Sequence, residues 1–190
     1  MKRVRPGYYS PVTRRGTIAI LFAAALLVAI PATATGRGAS ASRAGCPGQG
    51  NANAGMAAQE RTMLCLVNRA RHARGLAPLA ALTSLGHAAE HKSGDVIRCD
   101  EFSHEACGRE FTYWMSHFGY HGCLEGENLA WGSGPYATPR SIFQMWMHSQ
   151  GHRENILGPY EDTGIGLRIG TLEGNAGAHV WTEEFGKRSC

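Results

Sequence analysis

Two histidines and one glutamate stand in three polar islands of this 190-residue chain. His104 closes Phe102-Ser103-His104, and Glu127 lies in Gly126-Glu127-Asn128-Leu129-Ala130-Trp131-Gly132. His152 lies in Gly151-His152-Arg153-Glu154-Asn155-Ile156-Leu157. Imidazole nitrogens with a carboxylate oxygen form a donor set suited to zinc. A cation bound by His104, His152 and Glu127 would lower the pKa of a coordinated water, and Glu127 could then serve as the catalytic base. The plainer alternative is a hydrogen-bonded cluster that organises three loops without metal. Ligands this far apart in sequence converge only through the fold.

A second pattern competes for the same chemistry. His87-Ala88-Ala89-Glu90-His91 spells H-x-x-E-H, in which histidines one helical turn apart bind zinc and the glutamate acts as base. No third ligand accompanies it, and a five-residue match has a substantial false-positive risk. His117, His121, His148 and His179 read as surface or hydrogen-bonded residues. Among them His148, four residues before His152, is the one expected to touch the cleft. Asn128 and Asn155 read as ties between backbone turns, and Trp131, Trp146 and Trp181 as core. No Gly-x-Ser-x-Gly elbow supports a serine hydrolase.

The elements that must position these islands follow from periodicity. A helix is predicted from Ala57 to Arg74, with Met63, Leu64, Val67 and Ala70 on its apolar face and Gly75 as its stop. A second starts at Thr83 or Ser84, either of which could cap it. Phe111, Trp114, Met115 and Phe118 fall at i, i+3, i+4 and i+7 of a third, which Gly119 ends. Thr138 as N-cap and Pro139 at N1 open a fourth, expected to bury Ile142, Met145 and Trp146. Strands come mainly later, at Ile165–Ile169 and Val180–Phe185, with 171–177 as the hairpin loop and Asn128–Trp131 as a short strand. Helices first and strands later indicate an α+β domain.

The ends of the chain carry different information. Residues 1–34 read as an export signal: basic Lys2, Arg3, Arg5, Arg14 and Arg15, an apolar run from Ile18 to Ile30, and Ala32-Thr33-Ala34 for cleavage. The run is shorter than the ~20 residues of a membrane span, so no stable transmembrane segment is expected after cleavage. An uncleaved anchor holding the domain outside the membrane is the alternative. Five of the nineteen basic residues and none of the fifteen acidic ones lie in this segment, leaving fourteen against fifteen and a net charge of −1. That balance gives no basic face for nucleic acid. Residues 35–56, rich in Gly, Ala, Ser and Asn, read as a flexible linker, and 57–190 as one domain. Six cysteines, all beyond the signal, fit an oxidising compartment and up to three disulfides, with fifteen connectivities open. Cys99 with Cys107 is the first choice, because that bridge would restrict His104; Cys46 could tether the linker. No Cys-x-x-Cys motif is present.

The ordered set of islands resembles the CAP superfamily, whose members include cysteine-rich secretory and plant pathogenesis-related proteins. The resemblance starts at Leu64-Cys65-Leu66-Val67-Asn68-Arg69-Ala70-Arg71 and Gly75-Leu76-Ala77-Pro78-Leu79. It passes through the three islands and closes at Gly164-Ile165-Gly166 and Thr182-Glu183-Glu184-Phe185-Gly186. It implies a three-layer α/β/α sandwich with a largely antiparallel sheet, and a cleft bearing two histidines and two glutamates. His104, Glu127 and His152 match three of those positions. The second glutamate, three residues after a helical tryptophan, is replaced by Ser149. The resemblance further implies a secreted binding module for an extracellular or cell-envelope ligand, with Zn2+, lipid or sterol among the ligands of the family. A metal-dependent hydrolase or peptidase is the rival reading.

Overall fold

The computed structural model describes residues 45–190, so the expected export signal and the first ten residues of the expected linker lie outside the described residues. Helix α1 spans Met56–His72, followed by the two-residue strand β1 (Ala80–Ala81) and helix α2 (Thr83–Arg98). A short helix α3 (Tyr113–His117), strand β2 (Leu124–Gly132) and helices α4 (Pro139–His148) and α5 (Gln150–Ile156) come next. The chain closes with strands β3 (Asp162–Leu172) and β4 (Asn175–Lys187). The sheet has the order β1-β3-β4-β2, parallel between β1 and β3 and antiparallel elsewhere. The architecture is therefore α+β with a largely antiparallel sheet, as expected, the exception being the two-residue parallel pairing of β1.

Both faces of the sheet are covered. On one, Met63 and Val67 of α1, Ile142 and Trp146 of α4 and Ile156 of α5 pack on Leu167, Trp181 and Phe185. On the other, Val96 of α2 packs on Val180 and Leu172, while Leu85 and Ala88 meet Met115 and Tyr120. Helix α2 lies almost directly on β3. A Cβ at Gly164 would come within 2.0 Å of the Leu85 backbone, and one at Gly166 within 2.2 Å of the Glu90 nitrogen. Glycine at alternate positions of β3 thus makes a channel for the helix backbone.

Several expectations need correction in detail. Leu82, not Thr83 or Ser84, stands at the N-cap of α2 without a side-chain cap; its N–H bonds Thr163 O at 2.9 Å, so β1 fixes the helix start. Thr138 does cap α4, accepting from Ser141 N at 3.1 Å, but Met145 is 39 % exposed while Ile142 and Trp146 are buried. The hairpin turn is only Glu173-Gly174, because the β3–β4 ladder continues outward through polar residues. Helix α4 ends at Ser149, whose extended backbone (φ −84°, ψ 128°) starts α5 on a new axis. The Cys46–Cys65 disulfide tethers the middle of the expected linker to α1, as expected of Cys46, and Thr62 Oγ1 adds a 2.8 Å bond to Pro47 O.

Candidate functional site

Strand β2 is an edge strand, and the three islands gather around it. Glu127 projects from β2 toward the α2 side, opposite Glu184 of β4. His104 comes from the loop after α2, and its Nδ1 lies 2.6 Å from Glu127 Oε1. Lys92 of α2 stands behind this pair: its Nζ is 3.9 Å from Glu127 Oε2 and also donates to His104 O. The Lys92 and Glu127 side chains are each 1 % exposed, whereas that of His104 is 56 % exposed. The site is a buried ionic base with one imidazole presented to solvent.

The His104 loop is held from below. Cys99 and Cys107 form the disulfide expected to bracket the histidine. The fully buried Asp95 accepts from Arg109 Nη1 at 2.9 Å and Trp114 Nε1 at 2.8 Å, and pairs with Arg98. Asp95→Ala would leave the indole donor without its acceptor, and is expected to destabilise the fold by roughly 2–3 kcal/mol in urea unfolding. A loss below ~0.5 kcal/mol would show that these bonds do not anchor the loop.

Helix α5 brings the second imidazole. Asn155 Nδ2 bonds Asn128 Oδ1 at 2.9 Å and Glu127 O at 3.2 Å, and Asn128 Nδ2 bonds His152 O at 3.1 Å. The two asparagines therefore tie α5 to β2, as their sequence context implied. Gly126 lets the Tyr160 ring lie against β2: a Cβ there would meet Tyr160 Oη at 2.4 Å. His152 Nδ1 is buried without a hydrogen-bond partner. Burial, and secondarily the charge of His104, push the His152 imidazole below its ordinary range, so it is poised neutral.

Glu184 and Lys92 are site residues that the motifs did not single out. Burial pushes the Glu184 carboxyl well above its ordinary range, and the charge of Glu127 and a hydrogen bond to it push it further. No N–H or hydroxyl reaches either Glu184 oxygen, nor Glu127 Oε2. Glu184 is therefore held as a neutral acid facing Glu127 across the β2–β4 pair. The signal available in the sequence was the paired Glu183-Glu184 in a strand that a three-layer sandwich covers on both faces.

Beside the imidazoles an open pocket of about 240 Å³ is walled by Phe102, Trp131, Met145 and Trp146, with Ser149 and His152 at its polar end. Trp131 and Trp146 thus line a pocket as well as serving the core, and the rim residues Phe102 and Met145 are 42 % and 39 % exposed. His148 does not join the cleft: the break at Ser149 leaves it exposed, with Nδ1 2.7 Å from Gln144 O. His179, expected at the surface or hydrogen-bonded, is buried with Nδ1 unpartnered. In the H-x-x-E-H segment, His87 and His91 lie on the rings of Phe118 and Trp114, while Glu90 pairs with Arg168 at 2.8 Å. That motif is an aromatic contact between α2 and α3.

Among the described residues no three His, Cys, Asp or Glu side chains form a group that could hold a metal ion. Glu127 spends one oxygen on His104, which leaves His104 Nε2 and the unpartnered His152 Nδ1 as nitrogen donors. These two nitrogens, the first oriented by Glu127, are the donors the cleft could offer a cation. They fall short of the three protein ligands of a catalytic zinc.

Comparison with known proteins bears on the fold and the family. Residues 64–185 match the cysteine-rich secretory protein family, CAP. YkwD of Bacillus subtilis is 34 % identical over 137 residues, which are 71 % of this chain and 49 % of that protein, so the chain spans about half the length of this curated relative. An extracellular SCP-domain protein of Bacillus anthracis aligns at TM-score 0.60 with 21 % identity, covering 70 % of this chain and 41 % of the other. An outer surface protein of Borrelia burgdorferi aligns at 0.58 with 17 % identity, covering 68 % and 92 %.

Proposed function

The chain belongs to the CAP family, and from that premise we propose that it is an extracellular binding module whose cleft takes a small ligand, assisted by an exchangeable divalent cation. Three disulfides support an oxidising destination, as do neighbours described as extracellular or outer-surface proteins. Among the described residues no helix is long and apolar enough to cross a membrane. The observation that carries the reading is an apolar pocket bordered by His152, next to the loop that sets His104 on the buried Lys92–Glu127 pair.

His104 and His152 are the cation donors in this reading, and Glu127 is a positioning residue. When bound, a zinc ion would supply a Lewis acid for an oxygen of the ligand. Glu127 fixes the His104 tautomer with Nδ1–H toward its own carboxylate and keeps Nε2 free. The pocket, at about 240 Å³, is below the ~300–1,000 Å³ of sites that enclose whole drug-sized ligands. It suits an acyl end or one apolar side chain better than an entire sterol. The hydrolase reading is less favoured, because Glu127 is buried, bonded to His104 and backed by Lys92 rather than facing a water.

Zinc titration by calorimetry tests the reading. Wild type is expected to bind one ion, His104→Ala and His152→Ala to lose at least about tenfold in affinity each, and Glu127→Gln to lose about tenfold through the freed imidazole. Equal affinity in wild type and the double histidine variant would overturn the cation site.

A further inference from the structure

We propose that the Cys99–Cys107 disulfide is a dithiol-sensitive latch on the cleft, whose opening releases the arm carrying Phe102 and His104. The bridge joins residues only eight apart in sequence, and between them lie one wall of the pocket and the exposed imidazole. At its far end the arm is seated by Ala106, fully buried beside Val96, Leu172 and Val180, and Phe102 to Glu105 are tied only lightly. Ser103 N bonds Glu101 O at 3.1 Å, Cys107 N bonds Glu101 Oε2 at 3.2 Å, and Lys92 donates to His104 O. With the bridge open, Ala106, the Lys92 bond to His104 O and the 2.6 Å contact of His104 with Glu127 would be left to hold the short segment between them.

Three features single out this bridge. Cys99, the C-cap of α2, is exposed and open to attack, whereas Cys46 of the linker bridge is 2 % exposed. Cys107 has φ 60°, a left-handed conformation that costs a non-glycine residue about 1–2 kcal/mol. Opening the ring would let it relax. Arg98 Nη2, which also pairs with Asp95, lies 3.8 Å from Cys107 Sγ, so a guanidinium stands beside the sulfur that would leave. A cation there stabilises a thiolate and makes it the better leaving group. The Cys123–Cys190 bridge is also exposed, but among the described residues no cationic side chain contacts either sulfur.

The reaction is a two-electron exchange with a dithiol of the small-molecule or Cys-x-x-Cys protein class. One thiolate of the reductant attacks Cys99 Sγ, the S–S bond breaks, and its electron pair leaves on Cys107 Sγ beside Arg98. The second thiol of the reductant, deprotonated, then displaces Cys99 Sγ. The dithiol becomes a cyclic disulfide, and the two cysteine sulfurs take up protons from water.

The test uses the folded chain, limiting dithiothreitol, and timed alkylation read by mass spectrometry, with the His104 ring resonances followed in parallel. Cys99 and Cys107 are expected to be alkylated first, at least about fivefold faster than either other pair. The His104 resonances should move toward those of an exposed histidine as they react. Arg98→Gln should slow this pair several-fold while leaving Cys123–Cys190 unchanged, which a merely structural role for Arg98 would not produce. The Cys99→Ser/Cys107→Ser variant should reproduce the released His104 spectrum without reductant. Earlier opening of another bridge, or unmoved His104 resonances once this one is open, would overturn the latch. Neither readout depends on what the cleft binds, so the latch and the cation site fail separately.

Discussion

Gly166→Ala is expected to cost about 3 kcal/mol or more and to leave little folded protein at 37 °C. The added Cβ would sit 2.2 Å from Glu90 N and 2.3 Å from the Ala89 carbonyl carbon. Both are helix backbone, so no side-chain rotation relieves the overlap, and α2 would have to lift from the sheet. Lifting it would stretch the 2.8 Å contact of Ser93 Oγ with Thr182 Oγ1 and withdraw Lys92 from Glu127. The damage would therefore reach the cleft as well as the core. Gly174→Ala is the control: it lies in the hairpin turn at φ +77° with nothing within 4 Å of its would-be Cβ. It should lose only about 1 kcal/mol, from left-handed strain. Urea unfolding of both variants decides; equal losses would mean that the helix does not rest on this glycine.

Glu183→Gln is expected to stabilise the protein by about 5 kcal/mol at pH 8.5 and to change little at pH 4. The Glu183 side chain faces the α1 side of the sheet, fully buried, and burial pushes its carboxyl up to about 8 from an ordinary 4.5. Bonding from Thr163 and the nearby charge of Arg71 oppose that rise without cancelling it. Below pH 4.5 the group is protonated whether the chain is folded or unfolded, and its contribution is intact. As pH rises through the window from 4.5 to 8 the unfolded chain gives up the proton first, so stability falls by about 1.4 kcal/mol per pH unit. Above 8 the contribution is gone. Glutamine, neutral throughout, removes this slope. His152 and His179, pushed down by burial, act in the opposite sense below 6.5, so the wild-type minus variant difference is the quantity to follow. A pH-independent difference would show that Glu183 is not neutral in the folded protein.

Much of the scaffold was legible because its signals are local. Thr138-Pro139 announces the start of α4, Gly75 and Gly119 end their helices at positive φ, and the apolar residues of β3 alternate. The pairing of His104 with Glu127 was legible through the motif order alone, since no periodicity links the two. What escaped depends on layers rather than on neighbours. Strand β1 is two alanines long and exists only because β3 lies beside it. The bend at Ser149 separates His148 from His152, which helical spacing would have placed on one face. Lys92, Glu183 and Glu184 would ordinarily be read as solvated, yet helices on both faces of the sheet leave them no water, and they are neutralised or paired instead.

The strand order β1-β3-β4-β2 also sets a sequence of events in time. Only the β3–β4 hairpin joins residues close along the chain, across a two-residue turn; β2 precedes both in sequence but docks on the outer side of β4. Loop closure makes such distant pairing slow and late. Glu127 therefore reaches Glu184 only once β2 has docked on β4, a pairing that the Cys123–Cys190 disulfide then holds. Substitutions in β2 would then act chiefly on how long the native cleft survives, with little influence on how fast the chain collapses.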